Sequence, residues 1–211
     1  MPKLRNPPLF ITGIGTGIGK TFVSAVLTEK LKADYWKPVQ SGDLDDSDTI
    51  KVQGLVTNST SVFHPEVYRL TQPFSPHKSA AIDGVVIDPE KFVLPETDNQ
   101  LIIEGAGGLM VPLNDDFLMI DLIKQLKTRV ILVSQNYLGS INHTLLSVMA
   151  LKQYKIDIAG IIFNGVTDTD SESYILQYTG VKLLGRLPKH ISINKKVVLN
   201  AGKSIDLDFA K

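Results

Sequence analysis

With 211 residues, 22 basic against 22 acidic side chains and no cysteine, the chain has the length of one well-packed domain and no net field to attract a polyanion such as nucleic acid. The missing thiols exclude disulfides, thiolate catalysis and cysteine-ligated metals. No apolar run reaches the length of a membrane span, and Met1 to Pro8 hold no apolar core of signal-peptide length, so a cytoplasmic protein without a membrane partner is expected.

The first element is the one around which the others are arranged. Leu9-Phe10-Ile11-Thr12 reads as a short apolar strand, Gly13-Ile14-Gly15-Thr16-Gly17-Ile18-Gly19 as a glycine-rich turn, and Lys20-Thr21 as the opening of a helix. Glycines at alternate positions let the backbone curl and expose its N–H groups. Amides curled in this way, at a helix N-terminus, form a concave anion site. Lys20 can then reach terminal phosphates, and the Thr21 hydroxyl can ligate Mg²⁺. The spacing departs from the strict phosphate-loop pattern, because the first required glycine falls on Ile14 and Gly13 lies one residue earlier. An ordinary glycine-rich turn between strand and helix is the competing reading, and the Gly-Lys-Thr triplet after a strand argues against it.

Phe22, Val23, Ala25, Val26, Leu27 and Leu31 then give a helix with a broad apolar stripe. A strand over 33–36 leads into Lys37-Pro38-Val39-Gln40-Ser41-Gly42, where proline forbids helix and places Lys37 and Ser41 on a loop past a strand end. Residues 45–55 read as a helix with Ser47 as a plausible N-cap. Residues 57–98, rich in Thr, Ser, Pro and Asp, are the least regular part, with a short helix expected over 89–93. Gln100-Leu101-Ile102-Ile103-Glu104 is a second strand running into glycines, with Glu104 at its end. A buried carboxylate there is costly unless paired or metal-bound. It either caps the glycine turn or serves a metal. Residues 130–134 form an all-apolar strand, and the loop 135–143 opens a long helix to about Tyr154. A strand over 158–163 stops at Asn164-Gly165, a helix covers 171–178, a strand spans 182–187, and the tail beyond Lys189 is weakly patterned.

This alternation predicts an α/β fold: a mostly parallel, doubly wound sheet with helices on both faces, of the P-loop NTPase type, over residues 1–211 as one domain. Ligands of such sheets bind past the carboxyl ends of the strands. That rule gathers Thr16, Lys20, Thr21, Lys37, Ser41, Glu104, Asn142 and Asn164 at one rim. Two lysines near a phosphate loop suit a reaction that develops charge on transferring phosphoryl oxygens. Asp48 either completes a Thr21–Asp48–Glu104 oxygen set for Mg²⁺ or is simply a charge at a helix N-terminus. His77 and His143 read as capping or packing groups, His64 and His190 show no companions, and Phe10 and Trp36 read as core.

Taken together, the glycine loop with Lys20-Thr21, Lys37-Pro38-Val39-Gln40-Ser41-Gly42, Ser75-Pro76-His77, Glu104-Gly105-Ala106-Gly107-Gly108 and Leu138-Gly139-Ser140-Ile141-Asn142-His143-Thr144 closely resemble dethiobiotin synthetase, in order from about residue 9 to Pro188. The resemblance implies an ATP- and Mg²⁺-dependent ligase of biotin biosynthesis. It would join CO₂ to 7,8-diaminononanoate through a carbamate and its phosphorylated form, giving dethiobiotin, ADP and phosphate. It further implies that Gly17, Ile18, Gly19, Lys20, Thr21 and Phe22 hold the nucleotide together with Glu104, and that Thr21, Asp48 and Glu104 hold the metal. Asn164, Leu187 and Pro188 would face the adenine. Lys37, Lys20 and Thr16 would be catalytic, with Ser41 on the substrate. The working unit would be a homodimer, in which Gly139, Ser140, Ile141 and Asn142 take the substrate carboxylate of the neighbouring subunit's site. Leu145, Leu146, Val148 and Met149 would either pack on that partner or cover their own sheet.

Gly15 and Gly17 stand where members of that family often carry acidic residues, and Pro95 curtails a helix usual there. Two rivals share features with this reading. A nucleotide-switched partition ATPase would carry a signature lysine at the position of Gly15, and an amide-forming synthetase of the cobalamin pathway would need a glutaminase domain with a catalytic cysteine.

Overall fold

The chain alternates strand and helix from its first described element. In the computed structural model, residues 7–207 are described; residues 1–6 and 208–211, and with them most of the stretch read for a leader, lie outside the described residues. β1 (Leu9–Gly13) passes through the glycine loop into α1 (Lys20–Leu31), followed by β2 (Asp34–Trp36). An excursion then carries β3 (Val39–Ser41), α2 (Asp48–Leu55), β4 (Phe63–His64), β5 (Tyr68–Leu70) and α3 (Pro76–Ile82) before β6 (Leu101–Gly108). The order closes with α4 (Met119–Gln125), β7 (Arg129–Ser134), α5 (Ser140–Gln153), β8 (Ile158–Gly165), α6 (Thr169–Thr179), β9 (Leu183–Pro188) and α7 (Lys195–Ala201).

Seven of the strands form one sheet in the order β4-β2-β6-β1-β7-β8-β9, and each neighbouring pair runs parallel. Both faces are buried, as parallel sheets require. The period-two alternation of β1 divides it between them: Leu9 and Ile11 join Val23, Val26 and Val198 on one side, while Phe10 joins Leu122 and Ile123 on the other. Each such side chain contributes about 1.5–3 kcal/mol on leaving water. β1 lies between β6 and β7, so the chain reaches out to opposite sides of it, and the crevice of such a sheet opens at this switch point.

A small second sheet pairs β3 with β5, in the register Val39 with Tyr68 and Ser41 with Leu70. Ser41 therefore ends a strand rather than lying on a loop; Pro38 interrupts the chain only between β2 and β3. The excursion holds more order than its composition suggests, because β4 and β5 are too short to show an alternating pattern. The helix expected over 45–55 divides at Ser47, whose side chain accepts the Ile50 N–H at 3.3 Å and starts α2 there, leaving Leu44–Asp46 as a 3₁₀ turn. Residues 89–93 similarly hold only a 3₁₀ turn at Pro89–Lys91. β6 continues to Gly108, so Glu104 sits inside it. The tail contains α7, capped by Asn194 and buried through Val198 and Ala201.

At the amino end of β2, Asp34 accepts hydrogen bonds from the Val62 N–H at 2.8 Å, the Thr97 hydroxyl at 2.6 Å and the Asn99 amide at 2.9 Å. His64 Nε2 lies 3.3 Å from the same carboxylate, so this histidine has a companion after all. These donors hold the Asp34 carboxyl below its ordinary range, against the opposing effect of burial.

Candidate active site

A cavity of about 600 Å³ opens at the carboxyl ends of β1, β2 and β6, bordered by Thr16, Lys20, Thr21, Lys37, Ser41, Asp48 and Glu104 and roofed by Pro73 to Pro76. Gly19 makes the turn into α1 with φ of 91°, and a Cβ there would lie 2.1 Å from Asn164 Nδ2. Only glycine suits that position. Asn164 Nδ2 donates to the Ile18 carbonyl at 2.9 Å and so braces the loop from behind. α1 has neither a side-chain cap nor an acidic residue in its first turn, which leaves its N-terminal amides to an anion.

Lys20 is buried and donates to the Gly15 carbonyl at 2.8 Å. Burial lowers its ammonium to about 8, and Lys37 pushes the same way against the pull of Glu104 and Asp48. An ammonium so placed is poised to receive a phosphate. Thr21 Oγ1 stands 3.0 Å from Asp48 Oδ1 and 2.9 Å from Glu104 Oε1. Three oxygens thus meet with one hydroxyl proton among them. That hard-oxygen set fits a Mg²⁺ ion, which takes one or two carboxylates and completes its shell with water and phosphate. Among the described residues no trio of His, Cys, Asp or Glu side chains offers an all-protein cage.

Lys37 Nζ lies 2.5 Å from Asp48 Oδ2 and 3.3 Å from Glu104 Oε1. Burial would lower its pKa, but the two carboxylates outweigh that and raise it, so the side chain is a fixed cation. Asp48 is held below the usual carboxylate range by Lys37, against its own desolvation. Gln40 aligns this group: its Oε1 accepts the Asp48 N–H at 3.3 Å while its Nε2 donates to the Gly42 carbonyl at 2.9 Å. The Ser41 hydroxyl is buried at the cavity edge with no hydrogen-bond partner among the described residues.

Residues 8–197 match the AAA domain family. A protein of Christiangramia forsetii named ATP-dependent dethiobiotin synthetase BioD is 52% identical over 198 residues, which cover 94% of this chain and 93% of the relative. A protein of the same name from Cytophaga hutchinsonii is 50% identical over 90% of this chain and 92% of its own. The chain belongs to the dethiobiotin synthetase family. It is accordingly an ATP-dependent enzyme, a ligase of biotin biosynthesis. Among solved structures, the septum site-determining protein MinD complexed with Mg-ADP from Pyrococcus horikoshii superposes with a TM-score of 0.59 at 16% identity, over 92% of this chain and 86% of that one. A ParA family ATPase from Chlorobium tepidum gives 0.55 at 13% identity, over 94% and 99% of the two chains. The likeness to these P-loop ATPases is one of fold.

Apart from Gly17 and Gly19, the other residues that the dethiobiotin synthetase resemblance singles out lie outside the cavity. Gly139, Ser140, Ile141 and Asn142 form the head of α5 and border a separate concavity with Val166 and Tyr174. Ser140 is buried there and Asn142 is exposed. The register of β8 with β9 sets Asn164 beside Leu187 and Gly165 beside Pro188. Leu187 turns its side chain into the core, so its backbone is what reaches the edge, whereas Pro188 is exposed. Phe22 is core too, its ring edge-on to His190 at 5.8 Å. Gly17, with φ of 74°, borders the cavity, and Ile18 is buried beneath it. The sequence alone gives no task to Gln40 or the roof residues, although Gln40 stands inside the lysine motif and Ser75 and Pro76 inside another.

Proposed function

We propose that the chain joins CO₂ to 7,8-diaminononanoate with ATP and Mg²⁺, giving dethiobiotin, ADP and phosphate. The observation that carries this reading is the meeting of Lys20, Thr21, Lys37, Asp48 and Glu104 in one cavity beside the unpartnered Ser41 hydroxyl. One amine takes up CO₂ as a carbamate and releases a proton. A carbamate oxygen then attacks the γ-phosphorus and ADP leaves. The second amine attacks the carbamoyl carbon, phosphate departs and the ring closes. No step needs an enzyme nucleophile.

The loop amides and Lys20 hold the phosphates, and Lys37 neutralises charge on the phosphoryl group in transit. Thr16 and Ser41 orient the diamine and its carbamate. Thr21, Asp48 and Glu104 would hold Mg²⁺, which when bound neutralises phosphate charge. Gly17 to Phe22 enclose the nucleotide, and Asn164 with the Leu187–Pro188 backbone faces the adenine. The chain works as one ligase domain over 1–211, in the cytoplasm, as a two-fold dimer in which Gly139 to Asn142 serve the neighbouring site. Support for the last point is the exposed apolar surface of α5, where Leu146 and Met149 are 55% and 59% exposed. No helix among the described residues is long and apolar enough to cross a membrane.

The test is incubation with diaminononanoate, bicarbonate, Mg²⁺ and ATP, with the product identified by mass. Dethiobiotin and ADP should form in equal amounts. ATP hydrolysis that is indifferent to the diamine would overturn the reading in favour of a nucleotide switch.

A further inference from the structure

We infer that Tyr35 is a positioning residue of this site: its phenol pins one oxygen of Glu104, so that the other faces Thr21 and Lys37. The inference rests on the reading of Glu104 as a metal-site carboxylate. Tyr35 pairs with Ile102 across β2 and β6, and Glu104, two residues beyond Ile102, lies on the same face of the sheet. A tyrosine side chain spans that diagonal. Its hydroxyl donates to Glu104 Oε2 at 2.9 Å.

The carboxylate is thereby divided between two tasks. Oε1 meets Thr21 Oγ1 at 2.9 Å and Lys37 Nζ at 3.3 Å, while Oε2 meets the phenol alone among the described residues. Both residues are fully buried, where an unbonded polar atom is costly. Packing by itself asks only for a phenylalanine at position 35, because the ring is already held among the core of that face and against Phe63, with centroids 6.1 Å apart. The hydroxyl has one use, which is to stop the Glu104 carboxylate from turning. Tyr35 does not border the cavity, so it acts through Glu104 and never on substrate. Facing the pair from the packed elements, Lys37 binds both Asp48 and the opposite oxygen, Glu104 Oε1.

The variant Tyr35→Phe removes one oxygen and keeps the ring; circular dichroism and a thermal melt check its fold. ADP is titrated calorimetrically into the parent, Tyr35→Phe, Glu104→Gln and the double variant, with and without Mg²⁺. ADP affinity without Mg²⁺ should match the parent in Tyr35→Phe, while the gain in affinity that Mg²⁺ confers should fall about tenfold, the scale of lost partners to metal ligands. Adding Tyr35→Phe to Glu104→Gln should then change that gain by less than about twofold, since the path through Glu104 is already broken. If Tyr35→Phe keeps the full gain while Glu104→Gln loses it, Tyr35 is merely structural and the inference is overturned, whatever the melting temperature does. If neither variant alters the gain, Glu104 does not serve a metal, and the site reading falls together with the inference.

Discussion

The phosphate cavity and the concavity at the head of α5 share one edge of the sheet but are finished differently. In the first, charges are matched within the chain: Lys37 against Asp48 and Glu104, and Lys20 on a loop carbonyl. In the second, Leu138 is fully exposed, Asn142 faces outward, and α5 carries no acidic residue in its first turn. The helix itself shows the split, for Val148 and Leu151 are buried on their own sheet while Leu146 and Met149 are not. One region is organised before anything binds. The other offers a helix N-terminus without a side-chain cap and uncovered apolar surface, which is what a two-fold contact uses.

Breaking the organised half should cost most. Lys20→Ala should lower kcat/KM for ATP by about a thousandfold while circular dichroism remains that of the parent, the loss expected of a charge proposed above to hold phosphates in the transition state. Lys37→Ala should lower kcat by about a hundredfold, with ATP affinity, read by calorimetry, changing far less. Abolished nucleotide binding in that variant would move Lys37 from the reacting group to the nucleotide. The open half responds to a different lesion. Leu146→Asp should weaken self-association about tenfold in sedimentation experiments, whereas an unchanged dimer would leave the apolar face of α5 without the assigned role. The smallest signal sharpens the contrast most. When Lys37→Ala and Asn142→Ala chains are mixed and refolded one to one, half the dimers are mixed, and roughly a quarter of all sites should regain both residues. Dethiobiotin formation no higher than the parental mean, with mixed dimers seen by native mass spectrometry, would put both residues in one subunit's site.

The parallel sheet and the phosphate loop were legible because their signals are local: apolar runs, glycines and the Lys20-Thr21 pair within a few residues. Lys37 and Glu104 stand out for a related reason, since each follows a strand-like run and Glu104 is an expensive residue to bury there. The partners that fix them were not. Tyr35 meets Glu104 across 69 positions of sequence, and nothing near Tyr35 distinguishes its hydroxyl from an ordinary core aromatic. The motif alone gives Gln40 no task, because the Asp48 amide it binds becomes its neighbour only when α2 folds back. The expectation of a loop at Ser41 failed because β3 owes its pairing to β5, a strand too short to announce itself. α3 was missed although Pro76 stands at its first turn, a position proline favours.

Asp34 gathers Val62, Thr97 and Asn99 at a single carboxylate, so the long segment between Val62 and Thr97 leaves the sheet and returns to it at nearly one point. A segment closed at its base is thermodynamically indifferent to its own length, as each doubling adds only about 0.6 kcal/mol of closure entropy. The roof over the cavity, Pro73 to Pro76, belongs to that segment, whereas Lys20 and Thr21 belong to α1 and Glu104 to β6. Insertions and deletions in the roof can therefore reshape the cover of the cavity without moving α1 or β6. The cover of the cavity and its charged floor can in this way vary separately within one chain.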